Sequence, residues 1–183
     1  AHPGYAKEKL VNALKIAGEI LAALPKDSWS PETTDGKQGF VHPVGMGGIA
    51  EKATIDFIIR SFETPELALF EERLKNLAME IVGQHPGATL EFAVREQYRN
   101  MKEVLDVHPR IIENARKAIE LAGLKPRMVP IRGGTDGSRL SFMGFPCPNL
   151  FTGMQGIHSK TEWVSVQDME KAVEVLVNLV QIV

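Results

Sequence analysis

The stretch from Ile131 to Glu162, IRGGTDGSRLSFMGFPCPNLFTGMQGIHSKTE, limits most tightly what this chain can become. Gly133, Gly134 and Gly137 stand beside Arg132, Thr135 and Asp136, with His158 further along. Glycine tolerates positive φ and lets a backbone come close to a ligand. These positions therefore predict a loop that turns sharply or touches something. The run SFMGFPCPNLF follows at once and is too apolar for a surface linker. The reading is a functional loop set against a buried layer.

Around that stretch, helical and strand periodicities alternate. Leu10, Leu14, Ala17, Leu21 and Leu24 recur at helical spacing and predict a helix over 5–24, ended by Pro25. Residues 26–38 are polar, with Pro31 and Gly36, and read as a loop. A short strand is expected over 39–44, broken by Pro43 and the glycines at 45, 47 and 48. The clearest alternation runs over 53–62. Ala53, Ile55, Phe57 and Ile59 share one face, and Thr54, Asp56, Ile58 and Arg60 the other. Thr64-Pro65 predicts a helix start with the threonine as cap. Its apolar stripe is Leu67, Phe70, Leu74, Leu77 and Ile81. Leu90, Phe92 and Val94 alternate with polar neighbours and predict one more strand.

Residues 1–97 thus read helix, strand, strand, helix, strand. One strand before Ala1 would complete a βαββαβ, ferredoxin-like unit. The chain opens on AHPG, and it is expected to begin partway through a larger protein.

In the second half, Pro109 to Ala122 predicts a helix with Gly123 at its end. Short strands are expected over 128–131 and 149–152, with Asp136 capping a short helix over 138–143. Ser165 predicts the last helix start, with Asp168 as its capping-box partner. Met169, Ala172, Val173, Leu176, Val177 and Val180 are expected to face the core. Strands alternating with helices make 98–183 part of a three-layer α/β/α domain.

Bulk composition excludes several classes. A net charge of -2 gives no attraction to nucleic acid or anionic membrane. No apolar run approaches the roughly 18 residues of a membrane helix. The one cysteine, Cys147, cannot form an intrachain disulfide, which fits a reducing cytoplasm. Flanked by prolines in an apolar run, it reads as a small buried residue rather than a nucleophile.

Several side chains could carry chemistry. His158, beyond a strand and glycines, can offer a neutral imidazole nitrogen to a metal, or be an ordinary surface histidine. Arg132 is a good bidentate fork for a peptide carboxylate, or holds the loop. Thr135 and Asp136 line the same pocket or shape it, with capping favoured for Asp136. Arg60 shares a strand face with Asp56, so a surface ion pair competes with a binding role. Asn100 lies near the junction between the halves. His2 alone reads as a terminal residue. His42, His85 and His108 show no metal-binding spacing.

The runs RGGTDGSRLSFMGFPCPNLFTG and GIHSKTEWVSVQDMEKAVEVL resemble the C-terminal end of the peptidase T family, the tripeptide aminopeptidases of a zinc-dependent exopeptidase clan. AHPGYAKEKLVNAL resembles that family's HPG segment, and IDFIIRSFE a family strand carrying an arginine. The resemblance covers nearly the whole chain, with its motifs in family order. It implies a lid and dimerisation domain over 1–97 and a C-terminal segment of the catalytic domain over 98–183. It further implies a homodimer formed through the lid, a short peptide substrate, and two zinc ions per subunit.

By the same resemblance His158 is a zinc ligand; Glu162, which follows it, reads as a support behind that ligand or as a structural residue. His2 stabilises the oxyanion in the partner's active site. The resemblance makes Arg60 a lid arginine that binds the substrate; Arg132, Thr135 and Asn100 are candidate substrate contacts from their chemistry and position. The family's other metal ligands and its water-activating glutamate have no counterpart here, so this chain alone is expected to be inactive. The competing readings are another amidohydrolase of the clan (a dipeptidase, carboxypeptidase or N-acyl amino acid deacylase) or a truncated, non-catalytic dimerisation module.

Overall fold

The computed structural model describes residues 2–182. They form two compact units, divided between Arg95 and Glu96.

The first unit begins with a 3-10 turn, Pro3–Tyr5, and a helix α1, Ala13–Ala22. The helix expected over 5–24 is therefore shorter. Glu8 stands at φ 61°, which no right-handed helix admits. Asn12 then caps α1, its Oδ1 accepting from Leu14 N–H at 3.0 Å and Lys15 N–H at 3.4 Å. Ile16, Ala17 and Ile20 form the buried face, and Leu10 is exposed.

Strands β1, Phe40–Gly48, and β2, Ala53–Arg60, make an antiparallel two-stranded sheet, with Phe40 opposite Arg60 and Gly48 opposite Ala53. Contrary to expectation, Pro43 and the glycines do not end β1. Pro43 pairs with Phe57 and Gly45 with Asp56, so Val44 is left over as a bulge. A bulge is where a strand tolerates a residue with no N–H to give.

Helix α2, Thr64–Gly83, follows. Its N-cap is Glu63, one residue before the expected Thr64, and Glu63 makes no side-chain capping bond. Ser61 does the local work instead: its hydroxyl accepts from Glu63 N–H at 3.0 Å and bonds the Glu66 carboxylate. Phe70, Leu74 and Ala78 are buried along α2. Phe70 and Leu74 join Trp29 and Val41 in one cluster; Ala78 joins Ile16 and Ile20 in another. The indole of Trp29 meets the Phe70 ring edge-on at 5.9 Å, with the Arg73 guanidinium 4.9 Å over it.

Nearby, the exposed Glu32 carboxyl is held below its ordinary range, first by the Ser30 hydroxyl, then by its own backbone amide and by His42.

The strand expected at 90–94 does not form. Among the described residues no backbone pairs with this segment, and alternation without a partner makes no strand. Phe92 still packs on the Trp29 cluster.

The second unit carries α3, Lys102–Leu105; α4, Pro109–Leu121; α5, Asp136–Phe142; and α6, Val166–Ile182. Gly123 follows α4 at φ 74°, as its place at a helix end predicts. Ala118 of α4 and Ala122, its C-cap, are buried against Val175 of α6, and such small residues let the two helices approach closely. Lys171 Nζ donates to Ala122 O at 2.9 Å, and Asn178 Nδ2 to Ala118 O at 3.3 Å, tying the helices together.

Ser165 Oγ accepts from Asp168 N–H at 3.0 Å and lies 2.7 Å from the Asp168 carboxylate, so the expected α6 cap is present. The expected inward face of α6 is not. Met169, Val173, Leu176, Val177 and Val180 are exposed, and Val175 with Leu179 and Ile182 turns inward. Residues 128–131 and 149–152, expected as strands, likewise form none among the described residues. The fold is α/β in its first unit; the described residues of the second form helices and one isolated bridge, Gln155 to Trp163.

Candidate functional site

In the second unit the glycine loop is built against residues 98–101. Gly134 lies so close to Tyr98 that a Cβ there would sit 2.0 Å from its ring. Only glycine fits, for reasons of space. The expectation of positive φ at Gly133, Gly134 and Gly137 is not met, since none of the three stands in the left-handed region. Gly137 backs onto the carbonyl of Cys147, 2.5 Å from where a Cβ would stand. Close approach at Gly134 and Gly137 is to the protein itself, and a Cβ at Gly133 would meet nothing within 4 Å.

Further bonds lock the loop. Ser138 Oγ donates to Arg99 O at 2.5 Å. Ser141, 2% exposed, donates to Gly137 O at 2.7 Å and accepts from Cys147 N–H at 3.0 Å. The Arg99 guanidinium lies 4.6 Å over the Phe142 ring.

Thr135 is the N-cap of α5 by backbone angle, a place the sequence reading gave to Asp136, which is the first helical residue. Its hydroxyl makes no capping bond; it accepts from Asn149 Nδ2 at 3.1 Å. Arg132 is half-buried at the mouth of this loop. Asn100 is half-buried on the buttressing segment, with its side-chain oxygen accepting from Lys102 N–H at 3.1 Å. The glycine loop bearing Thr135 and the segment bearing Asn100 thus come together, through Gly134 against Tyr98 and Ser138 on Arg99. Tyr98 and Asn149, which hold them, went unmarked in the sequence. A bulky ring and a glycine 36 residues apart give no local signal, whereas the asparagine of PCPN sits in a motif run and was open to notice.

His158 stands on a separate loop. It is exposed, at φ 64°, and its backbone N–H donates to Glu162 Oε2 at 2.8 Å. A catalytic zinc site takes about three protein ligands. Among the described residues, no three His, Cys, Asp or Glu side chains gather as a metal site. The residues of this chain do not by themselves fit a two-zinc centre.

In the first unit, His2 is exposed at the head of the 3-10 turn. Its Nδ1 accepts from Gly4 N–H at 3.1 Å, and its ring packs at 5.3 Å from that of Tyr5. A neutral imidazole accepting at Nδ1 carries its proton on Nε2, so the outer nitrogen is a donor. Arg60 ends β2 half-buried, its Nη1 donating to Ile59 O at 3.2 Å.

With this geometry in place, the similarities can be read. Residues 1–89 match the family described as the peptidase dimerisation domain. Over 182 residues the chain is 43% identical to Peptidase T of Escherichia fergusonii, and over 181 residues 44% and 42% identical to those of Aeromonas hydrophila and Clostridium perfringens. Each match takes in 99% of this chain and 44% of the relative, so the chain spans under half the length of the curated relatives it matches.

The crystal structure of aminopeptidase PepT from Bacillus cereus superposes with a TM-score of 0.61 at 21% identity, covering 99% of this chain and 48% of that one. That likeness speaks for the fold. The chain is homologous to a stretch of peptidase T, as the resemblance in its motifs implied, and its first half carries the dimerisation-domain pattern.

Proposed function

We propose that this chain is the lid and C-terminal catalytic segment of a tripeptide aminopeptidase, an enzyme that removes the N-terminal residue from short peptides. The observation that carries the reading is identity of 43% across 182 residues with a protein named Peptidase T. The relatives reported above share that name, which favours this reading over a dipeptidase, carboxypeptidase or deacylase.

Helix, strand, strand, helix in the first unit suits the inner four elements of a βαββαβ lid. The dimerisation-domain pattern over the same residues supports a homodimer formed through it. The domain assignment, 1–97 lid and 98–183 catalytic segment, belongs to the same proposal, as does a cytoplasmic location.

Roles follow from chemistry. Arg132, half-buried beside a rigid loop, offers a fork to the peptide carboxylate. The Thr135 hydroxyl, accepting from Asn149, keeps its own proton to donate to substrate. Arg60 adds positive charge from the lid, and Asn100 offers its amide from the segment that buttresses the glycine loop. The Nε2–H of His2 is the right kind of donor for a developing oxyanion, in the partner's site of the dimer. His158 contributes one ligand to a zinc pair, and no further ligand cluster gathers around it among the described residues.

Among the described residues, no helix is long and apolar enough to cross a membrane. The net charge of -2 argues against a nucleic-acid partner.

The test is hydrolysis by the protein that carries this chain. A free tripeptide should lose its N-terminal residue, and its N-acetylated form should resist. Cleavage of the blocked form in preference would transfer the assignment to a deacylase or carboxypeptidase.

A further inference from the structure

The loop from Gln155 to Trp163 is closed at its base by two backbone hydrogen bonds, Gln155 N–H to Trp163 O at 2.8 Å and Trp163 N–H to Gln155 O at 3.1 Å. Within it, Ser159 N–H donates to Gly156 O at 2.9 Å, and Gly156 stands at φ 62°. Near the apex, His158 stands at φ 64°. Left-handed backbone is costly for a residue with a Cβ, and it persists where surrounding contacts over-determine it.

One contact falls directly on this peptide. The Glu162 carboxylate accepts from the His158 N–H at 2.8 Å. A charged acceptor makes this stronger than a bond between neutral groups. Carboxylates that support a ligand histidine usually bond its second ring nitrogen; here the bond goes to the main chain.

We propose that Glu162 is the positioning residue for His158. Its carboxylate holds the His158 backbone left-handed and so fixes the direction in which the imidazole leaves the loop. The chemical use of that direction rests on the reading under Proposed function, whereas the backbone role does not.

Two measurements test this. In the chain itself, Glu162→Ala and Glu162→Gln are compared with and without His158→Gly. Glutamine keeps an acceptor oxygen, and glycine adopts φ near 64° without help. Glu162→Ala should lower the melting temperature and change the His158 amide-to-Hα coupling, with Glu162→Gln close to wild type. In the His158→Gly background Glu162→Ala should cost little, even if the single variant fails to fold. Equal cost in both backgrounds, or an unchanged coupling, overturns the proposal.

The second measurement uses the peptidase-active protein. Glu162→Ala should lower kcat about a hundredfold, the scale of a small misplacement of a reacting group, and Glu162→Gln should restore most of it. Equal loss in the two variants overturns the role in turnover. A wild type with no peptidase activity sinks the functional reading, while the coupling and melting data still decide what Glu162 holds.

Discussion

Individual residues carry the sharpest consequences. Ser141 is 2% exposed and serves two bonds at once, to Gly137 O and from Cys147 N–H. Replacing it with alanine strands a buried acceptor and a donor, at about 1–3 kcal/mol, measurable as a shift in urea midpoint. Gly134→Ala drives a methyl into the Tyr98 ring. It should cost about 1–3 kcal/mol as overpacking, and the variant Tyr98→Ala should recover part of it. His2→Ala behaves differently, since His2 is exposed and its bond to Gly4 N–H lies within its own turn. In the active enzyme it should depress kcat by about 10²–10³-fold, as for loss of an oxyanion donor, and leave the melting temperature where it was. Normal kcat in that variant removes His2 from the mechanism.

Elements show where sequence reasoning reached and where it stopped. Helices with local start signals were legible: Pro109 opens α4, and Ser165 with Asp168 opens α6. Capping is a contact between near neighbours, so the sequence displays both partners. Ser165→Ala should therefore destabilise by about 1 kcal/mol, seen as a lower melting temperature.

Strands were less legible because a ladder needs a second backbone. The alternation at 53–60 found one in β1, and the alternation at 90–94 found none among the described residues. The buried side of α6 was misread for a related reason. Its stripe at Met169, Val173, Leu176 and Val180 is as periodic as the face bearing Val175, and only the position of α4 decides which turns in. In α2 that ambiguity was absent, and Leu74 is 2% exposed. Leu74→Ala should cost about 2–5 kcal/mol.

Across the molecule, the candidate site was legible as a set of motifs and illegible as an arrangement. Arg132, Thr135 and His158 announce themselves by chemistry and by neighbouring glycines. Tyr98, 36 residues before the glycine it faces, and Asn149, 14 after the threonine it bonds, are linked to the site by folding alone. Motif order is what joined the two halves into one resemblance, and 43% identity to Peptidase T of Escherichia fergusonii runs over 99% of the chain.

The central claim is that this chain serves a tripeptide aminopeptidase. The most direct measurement is zinc-supplemented hydrolysis of a free tripeptide by the protein carrying it, with Arg132→Ala alongside. Release of the N-terminal amino acid, with KM raised in the variant, is the expected result. No release from the free tripeptide, or release unaffected by Arg132→Ala, would contradict the account.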